Sequence, residues 1–182
     1  MIWKFLKNPV YEEDENIDFK YRVSIVLQLV GIAFVISILL GVFIGAIETL
    51  FNLDFGKHAI QSALEEYSPW FLFFAAVVLV PLLEELIFRG PMVFFKDEPV
   101  FKYVFYTLTL IFGFYHITNF EITTTIILLS PLLVAPQISV GTLLGFIRVR
   151  FGLVWAIALH AIYNLLLVGP MLILQLLDIP LE

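Results

Sequence analysis

The stretch VSIVLQLVGIAFVISILLGVFIGAI, Val23–Ile47, decides the fold class of this chain of 182 residues. At about 1.5 Å per residue, a helix of this length spans about 37 Å, which is enough to cross a bilayer core of about 30 Å. The stretch is too long for the apolar region of a signal peptide and has no small-residue cleavage site after it. It therefore predicts a retained transmembrane helix.

The composition extends this interpretation to the whole chain. Apolar residues make up 61% and charged residues 14% of the sequence, whereas a typical soluble domain is about 45–50% apolar and about 25% charged. The sequence thus predicts a multi-pass protein integral to the cell membrane, with the lipid bilayer as its surroundings. Ten Lys and Arg against sixteen Asp and Glu exclude nucleic-acid binding as a main role. The lack of cysteine excludes disulfides, thiolate nucleophiles and cysteine-ligated metals.

Further apolar segments follow the first predicted span. They cover residues 69–95, 100–117, 122–147 and 153–177. Pro131 and Pro136 leave open whether the segment 122–147 is one crossing or a broken pair, so the expected count is five to six spans. The sequence predicts an all-α, polytopic transmembrane helix bundle, with a cytoplasmic polar segment at residues 1–22 and a single transmembrane domain at residues 23–182.

The basic residues set the predicted orientation, because cytoplasmic loops carry an excess of Lys and Arg. With five spans and a cytoplasmic N-terminus, only Lys57 lies on the outer side. The cytoplasmic segments hold Lys4, Lys7, Lys20, Arg22, Arg89, Lys96, Lys102, Arg148 and Arg150.

Several features are expected to be structural. The acidic run Glu12–Glu15 and the loop residues Asp54 and His58 are predicted to be solvated. The G-x-x-x-G pairs Gly41–Gly45 and Gly141–Gly145 are expected to let helices pack closely in lipid.

Three polar clusters lie at membrane depth, where ionisable groups are costly and usually face a cavity or a partner. They are EELIFR at residues 84–89, FGFYH at residues 112–116 and HAIYN at residues 160–164. Counted inward from the predicted cytoplasmic boundaries, Glu84 and His116 lie at roughly 18 and 21 Å, and His160 and Asn164 at roughly 15 and 21 Å. This common depth favours one chemical site over three separate structural contacts.

The spacing within the first cluster separates its two glutamates. Glu85 and Arg89 are four residues apart, which places them on one helical face as an ion pair. Glu84 is rotated by about 100° from Glu85, so it remains available as a general base. Pro81 is expected to free the carbonyl of Val77 and open the helix where water must enter.

The other clusters supply histidine and amide groups. His160 and Asn164 share a helical face and give two neighbouring hydrogen-bond donors, as an oxyanion hole requires. These residues suit a glutamate-activated water that attacks a carbonyl, with a histidine aiding proton transfer. Zinc bound by two histidines and a glutamate remains an alternative, although the sequence has no H-E-x-x-H motif. A membrane scaffold, a bacteriocin-immunity protein and a transporter with a proton relay are further alternatives.

The motifs E-E-x-x-x-R, F-x-x-x-H and H-x-x-x-N, in this order on separate predicted helices, resemble those of the CPBP family. This family of CAAX proteases and bacteriocin-processing proteins, also called Abi, contains intramembrane glutamate proteases. The resemblance covers about residues 69–170 and implies a compact helical core like that of the Ras-converting CAAX endopeptidases. It implies metal-independent hydrolysis of a peptide bond, no cofactor, and a CAAX-type, leader or membrane-associated peptide as substrate. No oligomeric state follows from it.

The resemblance also implies a role for each matched residue. Glu84 would activate the water together with His116, and His160 and Asn164 would stabilise the tetrahedral oxyanion. Three supporting residues would position the substrate or pack around the site: Glu85, Arg89 and Phe112.

Overall fold

The structure, a computed structural model, describes residues 2–177 and 179. Met1, Asp178 and residues 180–182 lie outside the described residues, and with them the last positions of the predicted transmembrane domain. All regular structure in the described residues is helical, which confirms the predicted all-α class.

The described residues form nine α-helices, one π-helical segment and two 3₁₀ segments. The α-helices are α1 Ile2–Lys7, α2 Phe19–Leu50, α3 Ala59–Glu66, α4 Pro69–Phe73, α5 Val80–Phe88, α6 Phe101–Tyr115, α7 Thr124–Leu133, α8 Ala135–Phe151 and α9 Leu153–Leu176. A π-helical segment, Phe74–Leu79, joins α4 to α5, and 3₁₀ segments Gly90–Phe95 and His116–Asn119 follow α5 and α6.

Four helical stretches among the described residues are long and apolar enough to cross a membrane, so the protein is a multi-pass membrane protein. They are Phe19–Leu50, Pro69–Phe95, Thr124–Phe151 and Leu153–Leu176. The predicted span 100–117 is shorter than these. It corresponds to α6, whose 15 residues measure about 22 Å. The 3₁₀ segment that follows α6 adds about 8 Å.

The segment 122–147, which the sequence left open, is a helical stretch with a break at Val134. Pro131 and Pro136 have no N–H groups, so two bonds of a continuous α-helical ladder are missing. The ladder ends when Val134 N–H donates to the Ser130 carbonyl at 3.0 Å. A new helix, α8, then begins at Ala135, with a proline in its first turn where no N–H is needed.

The centre of the bundle is α8, which packs against α2, α6 and α9. A Cβ added to Gly145 would lie 2.6 Å from Phe105 Cε2, and one added to Gly141 would lie 3.0 Å from Phe112 Cδ1. The predicted packing role of Gly141–Gly145 is therefore confirmed. Gly41 and Gly45 have no such neighbour within 4 Å, so the same prediction is wrong for that pair within the described residues.

The N-terminal segment, residues 2–18, packs against the C-terminal end of α8. Arg150 Nη2 donates to Asp14 Oδ2 at 2.9 Å, and Asp14 N–H donates to the Arg150 carbonyl at 2.9 Å. The predicted solvated face is thus wrong for Asp14, because Arg150 is available to bind it. The prediction holds for Glu12, whose side chain is 79% exposed.

The loop before α3 also differs from expectation at one residue. His58 is half-buried and not fully solvated. Its Nδ1 accepts a hydrogen bond from Ile60 N–H at the start of α3, and its ring lies edge-on to Phe120. This burial lowers the pKa of His58. Asp54 is exposed, as predicted.

Candidate active site

Pro81 shapes the helix that carries the two glutamates. In a regular α-helix its missing N–H would leave the Val77 carbonyl without a partner. Residues Phe74–Leu79 instead form a π-helix, in which each N–H bonds to the carbonyl five residues earlier. Such segments often occur at functional sites, and this one lies directly before the first polar cluster.

The π-helix moves the unpaired carbonyl to Ala76, one residue before the predicted position. Val80 N–H, which would bond Ala76 in an α-helix, donates to the Ala75 carbonyl. Pro81, which would bond Ala76 in a π-helix, has no N–H. Asn164 Nδ2 on α9 donates to the Ala76 carbonyl at 2.8 Å and so satisfies it. Asn164 therefore fixes the helix break against α9.

Glu85 and Arg89 form the predicted ion pair. Arg89 Nη1 lies 3.2 Å from Glu85 Oε1, and both side chains are fully buried. Arg89 Nη2 donates to the Gly141 carbonyl at 3.3 Å, and the guanidinium carbon lies 3.8 Å from the centre of the Phe112 ring. The aromatic face and the two acceptors offset the cost of burying this cation.

His160 lies between the two glutamates. Its Nδ1 lies 2.9 Å from Glu85 Oε1, and its Nε2 lies 3.7 Å from Glu84 Oε2. Because a carboxylate only accepts, Nδ1 carries the hydrogen that is donated to Glu85. The opposite nitrogen, Nε2, therefore faces Glu84.

His116 approaches Glu84 from the other side. Its Nε2 lies 4.0 Å from Glu84 Oε1, and its Nδ1 lies 2.8 Å from the Phe112 carbonyl. The carbonyl only accepts, so Nδ1 carries the hydrogen. In neutral His116, Nε2 is then an acceptor directed at Glu84.

The four ionisable groups differ in their exposure. The side chains of Glu84 and His116 are 12% and 18% exposed, whereas Glu85 is fully buried. His160 is nearly buried between them. The more open side of the cluster is therefore the side formed by Glu84 and His116.

The structure thus brings together the residues that the sequence placed at a common depth. Phe112 packs around the cluster, with its ring centre 4.8 Å from that of His116 and 6.0 Å from that of His160. Asn164 lies one turn beyond His160 on α9, but its amide is directed at the backbone of the π-helix and not at Glu84.

Sequence reasoning missed one buried residue near this cluster. Arg148 Nε donates to the Arg89 carbonyl at 3.0 Å. In the sequence, Arg148 and Arg150 look alike, as two basic residues at the end of a helix. The only available signal was their spacing, since residues two apart on a helix lie on different faces.

The zinc alternative was compared with the side chains of the residues that the structure describes. No group of three or more His, Asp or Glu side chains there could hold a metal ion. The geometry of Glu84, His116 and His160 is instead that of neighbouring hydrogen-bonding groups.

Comparison with known protein families gives the family of this chain. A family model described as "Type II CAAX prenyl endopeptidase Rce1-like" matches residues 66–166, more than half of the chain, and this range contains all three polar motifs. No curated protein and no solved structure matches the chain. The chain belongs to the Rce1-like family of type II CAAX prenyl endopeptidases.

Proposed function

We propose that this protein is a metal-independent intramembrane endopeptidase in which Glu84 activates the water that attacks a peptide bond. Family membership supports a CAAX-type membrane protease. The observation that supports the glutamate mechanism is the position of Glu84, whose two oxygens lie 4.0 Å from His116 Nε2 and 3.7 Å from His160 Nε2.

The first step is the binding of water. Glu84 Oε1 and His116 Nε2 are both acceptors when the histidine is neutral, and they face each other across 4.0 Å. Two acceptors in this arrangement can take the two hydrogens of one water molecule. The water oxygen then keeps a lone pair for the substrate carbonyl, and Glu84 removes a proton as the bond to carbon forms. Glu84 later returns this proton to the amine, which leaves when the peptide C–N bond breaks and the carbonyl re-forms.

The second step is stabilisation of the oxyanion. A protonated His160 donates from Nδ1 to Glu85 and keeps Nε2–H for the substrate oxygen. The Glu85 carboxylate stabilises the positive charge on the ring, and Arg89 holds that carboxylate in place. In this role Glu85 acts on the substrate only through His160. The full burial of the Glu85 side chain agrees with such an indirect role.

Asn164 serves two acceptors in this proposal. Its amide nitrogen carries two hydrogens. One hydrogen is donated to the Ala76 carbonyl, and the second is free to meet the oxyanion beside His160. The bond to Ala76 holds the amide in one orientation before substrate binds, as a preorganised oxyanion hole requires.

The proposed substrate is a CAAX-type, leader or membrane-associated peptide, because the reactive cluster lies at membrane depth. The distribution of basic residues supports a cytoplasmic N-terminus in the cell membrane and substrate entry from the cytoplasmic side. Glu85 and Arg89 would support the site and help to position the peptide, and Phe112 would pack around it.

A cleavage assay with matched variants tests the proposal. Purified protein in nanodiscs is incubated with a quenched-fluorescent peptide library, as wild type, as Glu84→Gln and as Glu98→Gln. Glu98 is an exposed glutamate in the turn before α6 and is the control. We expect wild type and Glu98→Gln to cleave and Glu84→Gln to be inactive, because the amide cannot take a proton from water.

Other results would contradict the proposal in different ways. Wild-type turnover in Glu84→Gln would remove Glu84 from the role of base. Loss of cleavage in wild type on addition of EDTA would replace the glutamate mechanism with a metal-dependent one.

A further inference from the structure

The N-terminal segment, residues 2–18, lies outside the family match at residues 66–166, yet one buried side chain connects it to the reactive cluster. We propose that Arg148 is a positioning residue for the Glu85–Arg89 pair and that Tyr11 of the N-terminal segment holds Arg148 in place. This inference rests on the proposed function for its effect on turnover, but not for its effect on geometry.

Arg148 is a buried cation, and an ion pair does not explain its burial. The residue is 8% exposed, and among the residues that the structure describes no carboxylate lies within ion-pairing distance of it. Its guanidinium has two neutral acceptors. Nε donates to the Arg89 carbonyl at 3.0 Å, and Nη1 donates to the Tyr11 hydroxyl at 3.1 Å.

The position of Arg89 explains why a cation is useful there. Arg89 is the residue that caps the C-terminal end of α5. Carbonyls at the end of a helix have no partner within the helix, and the end carries partial negative charge. The Arg89 carbonyl accepts from Met92 N–H of the following 3₁₀ segment at 3.3 Å, and its second lone pair accepts from Arg148 Nε. Arg148 therefore binds the backbone at the point where α5 ends.

A fixed end of α5 also fixes the hydrogen bonds of the cluster. The Arg89 side chain extends from this backbone to Glu85 Oε1 at 3.2 Å. The same oxygen accepts from His160 Nδ1 at 2.9 Å. A displaced Arg89 would move the oxygen that orients His160, and His160 Nε2 faces Glu84.

The N-terminal segment is packed well enough to hold Tyr11. The Phe5 ring is edge-on to Phe105 and Phe146, with ring centres 5.1 and 5.2 Å away. The Tyr11 ring is edge-on to Phe101 at 5.3 Å. The aromatic contacts thus anchor the segment on α6 and α8, and the Tyr11 hydroxyl accepts from Arg148.

Histidine NMR tests this proposal without any substrate. The chain has three histidines, so protein labelled with ¹⁵N-histidine gives few imidazole signals. Variants His58→Gln and His116→Gln assign them. We expect Arg148→Met to move the His160 Nδ1 signal away from its hydrogen-bonded position and to leave the His58 signals unchanged. Tyr11→Phe should move the His160 signal in the same direction by a smaller amount.

Conservative and charge-matched variants separate positioning from general destabilisation. Arg148→Lys keeps a cation at the end of α5 and should restore part of the His160 shift. Lys96→Met removes an exposed positive charge and should change no imidazole signal. If active protein is in hand, Arg148→Met should lower kcat by about 10–100-fold with little change in KM, since small misplacements of reacting groups are costly.

Two outcomes would overturn the proposal. One is a folded Arg148→Met protein whose His160 signal is unchanged. The other is an unchanged His160 signal in Tyr11→Phe, which decides the matter if Arg148→Met does not fold. A wild-type protein that cleaves nothing would count against the proposed function only, because the imidazole signals are measured without substrate.

Discussion

At the scale of single residues, two adjacent glutamates have different surroundings because one helical step turns the side chain by about 100°. Glu85 is fully buried between Arg89 and His160, whereas Glu84 is 12% exposed and lies between the His116 and His160 rings. The ion pair and the separation of Glu84 from it followed directly from the spacing in the sequence. The proposed division of work, with Glu84 as base and Glu85 as support, follows from these surroundings.

Asn164 is predicted to contribute both to turnover and to stability. Asn164→Ala should lower kcat by about 10²–10³-fold, the usual loss for one oxyanion donor. It should also lower the free energy of unfolding by about 1–3 kcal/mol, because the Ala76 carbonyl loses its donor. Steady-state kinetics and denaturant titration in detergent measure the two effects.

A double variant separates the two roles of Asn164. Pro81→Ala supplies a backbone N–H near the Ala76 carbonyl, so Pro81→Ala/Asn164→Ala should recover part of the lost stability. Its kcat should stay low. Recovery of activity together with stability would show that Asn164 acts only by holding the helix.

The second role of Asn164 could not be predicted from the sequence. The spacing of His160 and Asn164 indicates that they share a helical face, but it does not give the partner of either one. That partner, the Ala76 carbonyl, lies in the π-helix at residues 74–79 and is 88 positions before Asn164. Contacts over such distances along the chain leave no periodic signal.

At the scale of helices, hydropathy predicted the long apolar helices. A long apolar segment in lipid must satisfy its own backbone hydrogen bonds, and a helix does this within the segment. Pro81 predicted an opening of the helix before Glu84, but not its form, and Pro131 and Pro136 left open whether the segment 122–147 breaks. The π-helix displaced the unpaired carbonyl by one residue from the predicted Val77. The displaced carbonyl is bound by Asn164 of α9, a contact that the sequence does not show.

The two G-x-x-x-G pairs predict opposite effects of the same substitution. Gly145→Ala should lower the free energy of unfolding by about 1–3 kcal/mol, because the new Cβ would lie 2.6 Å from the Phe105 ring. Gly41→Ala is the control and meets no atom within 4 Å. It should leave stability unchanged or raise it by up to about 1 kcal/mol, since alanine favours helix more than glycine does.

Thermal unfolding in detergent compares these variants with wild type. Equal loss of stability in both variants would mean that the close contact between α6 and α8 does not limit packing. A loss in Gly41→Ala alone would place the important contact on α2, in conflict with the open face of that helix.

At the scale of the whole molecule, the family match covers α4 to most of α9, and α2 and the N-terminal segment lie outside it. The acidic run Glu12–Glu15 of the segment is predicted to be a solvated face. Instead, Asp14 binds Arg150 of α8, and Tyr11 of the segment binds Arg148. Composition shows that the segment is polar, but it does not report which polar groups find partners.

The docking of this segment is predicted to weaken in acid. Burial raises the pKa of Asp14, but the hydrogen bond from Asn16 N–H and the ion pair with Arg150 outweigh it, so the pKa lies below its usual value. A lowered pKa in the folded state stabilises the protein above the unfolded value of about 4. This contribution is lost as the pH falls through the lower, folded value.

Asp14→Asn tests this dependence on pH. At pH 7 the variant should be less stable than wild type by up to about 1 kcal/mol, as for other partly exposed ion pairs. The difference should shrink as the pH falls below about 4. Melting temperatures across this range measure it, with the exposed Glu15→Gln as control. A difference that persists undiminished in acid would show that the Asp14 charge is not its source.

The π-helical segment also sets the direction in which the side chains of α5 point around the helix axis. Residues 80–89 carry both glutamates and Arg89, and their direction around the helix axis depends on how many residues precede them. A helix advances by about 1.5 Å and turns by about 100° per residue. Deletion of one residue from Phe74–Leu79 that restored a regular α-helix would hardly shorten the span, yet it would change which residues of α5 face His160. The π-helical segment thus sets the direction in which Glu84 points.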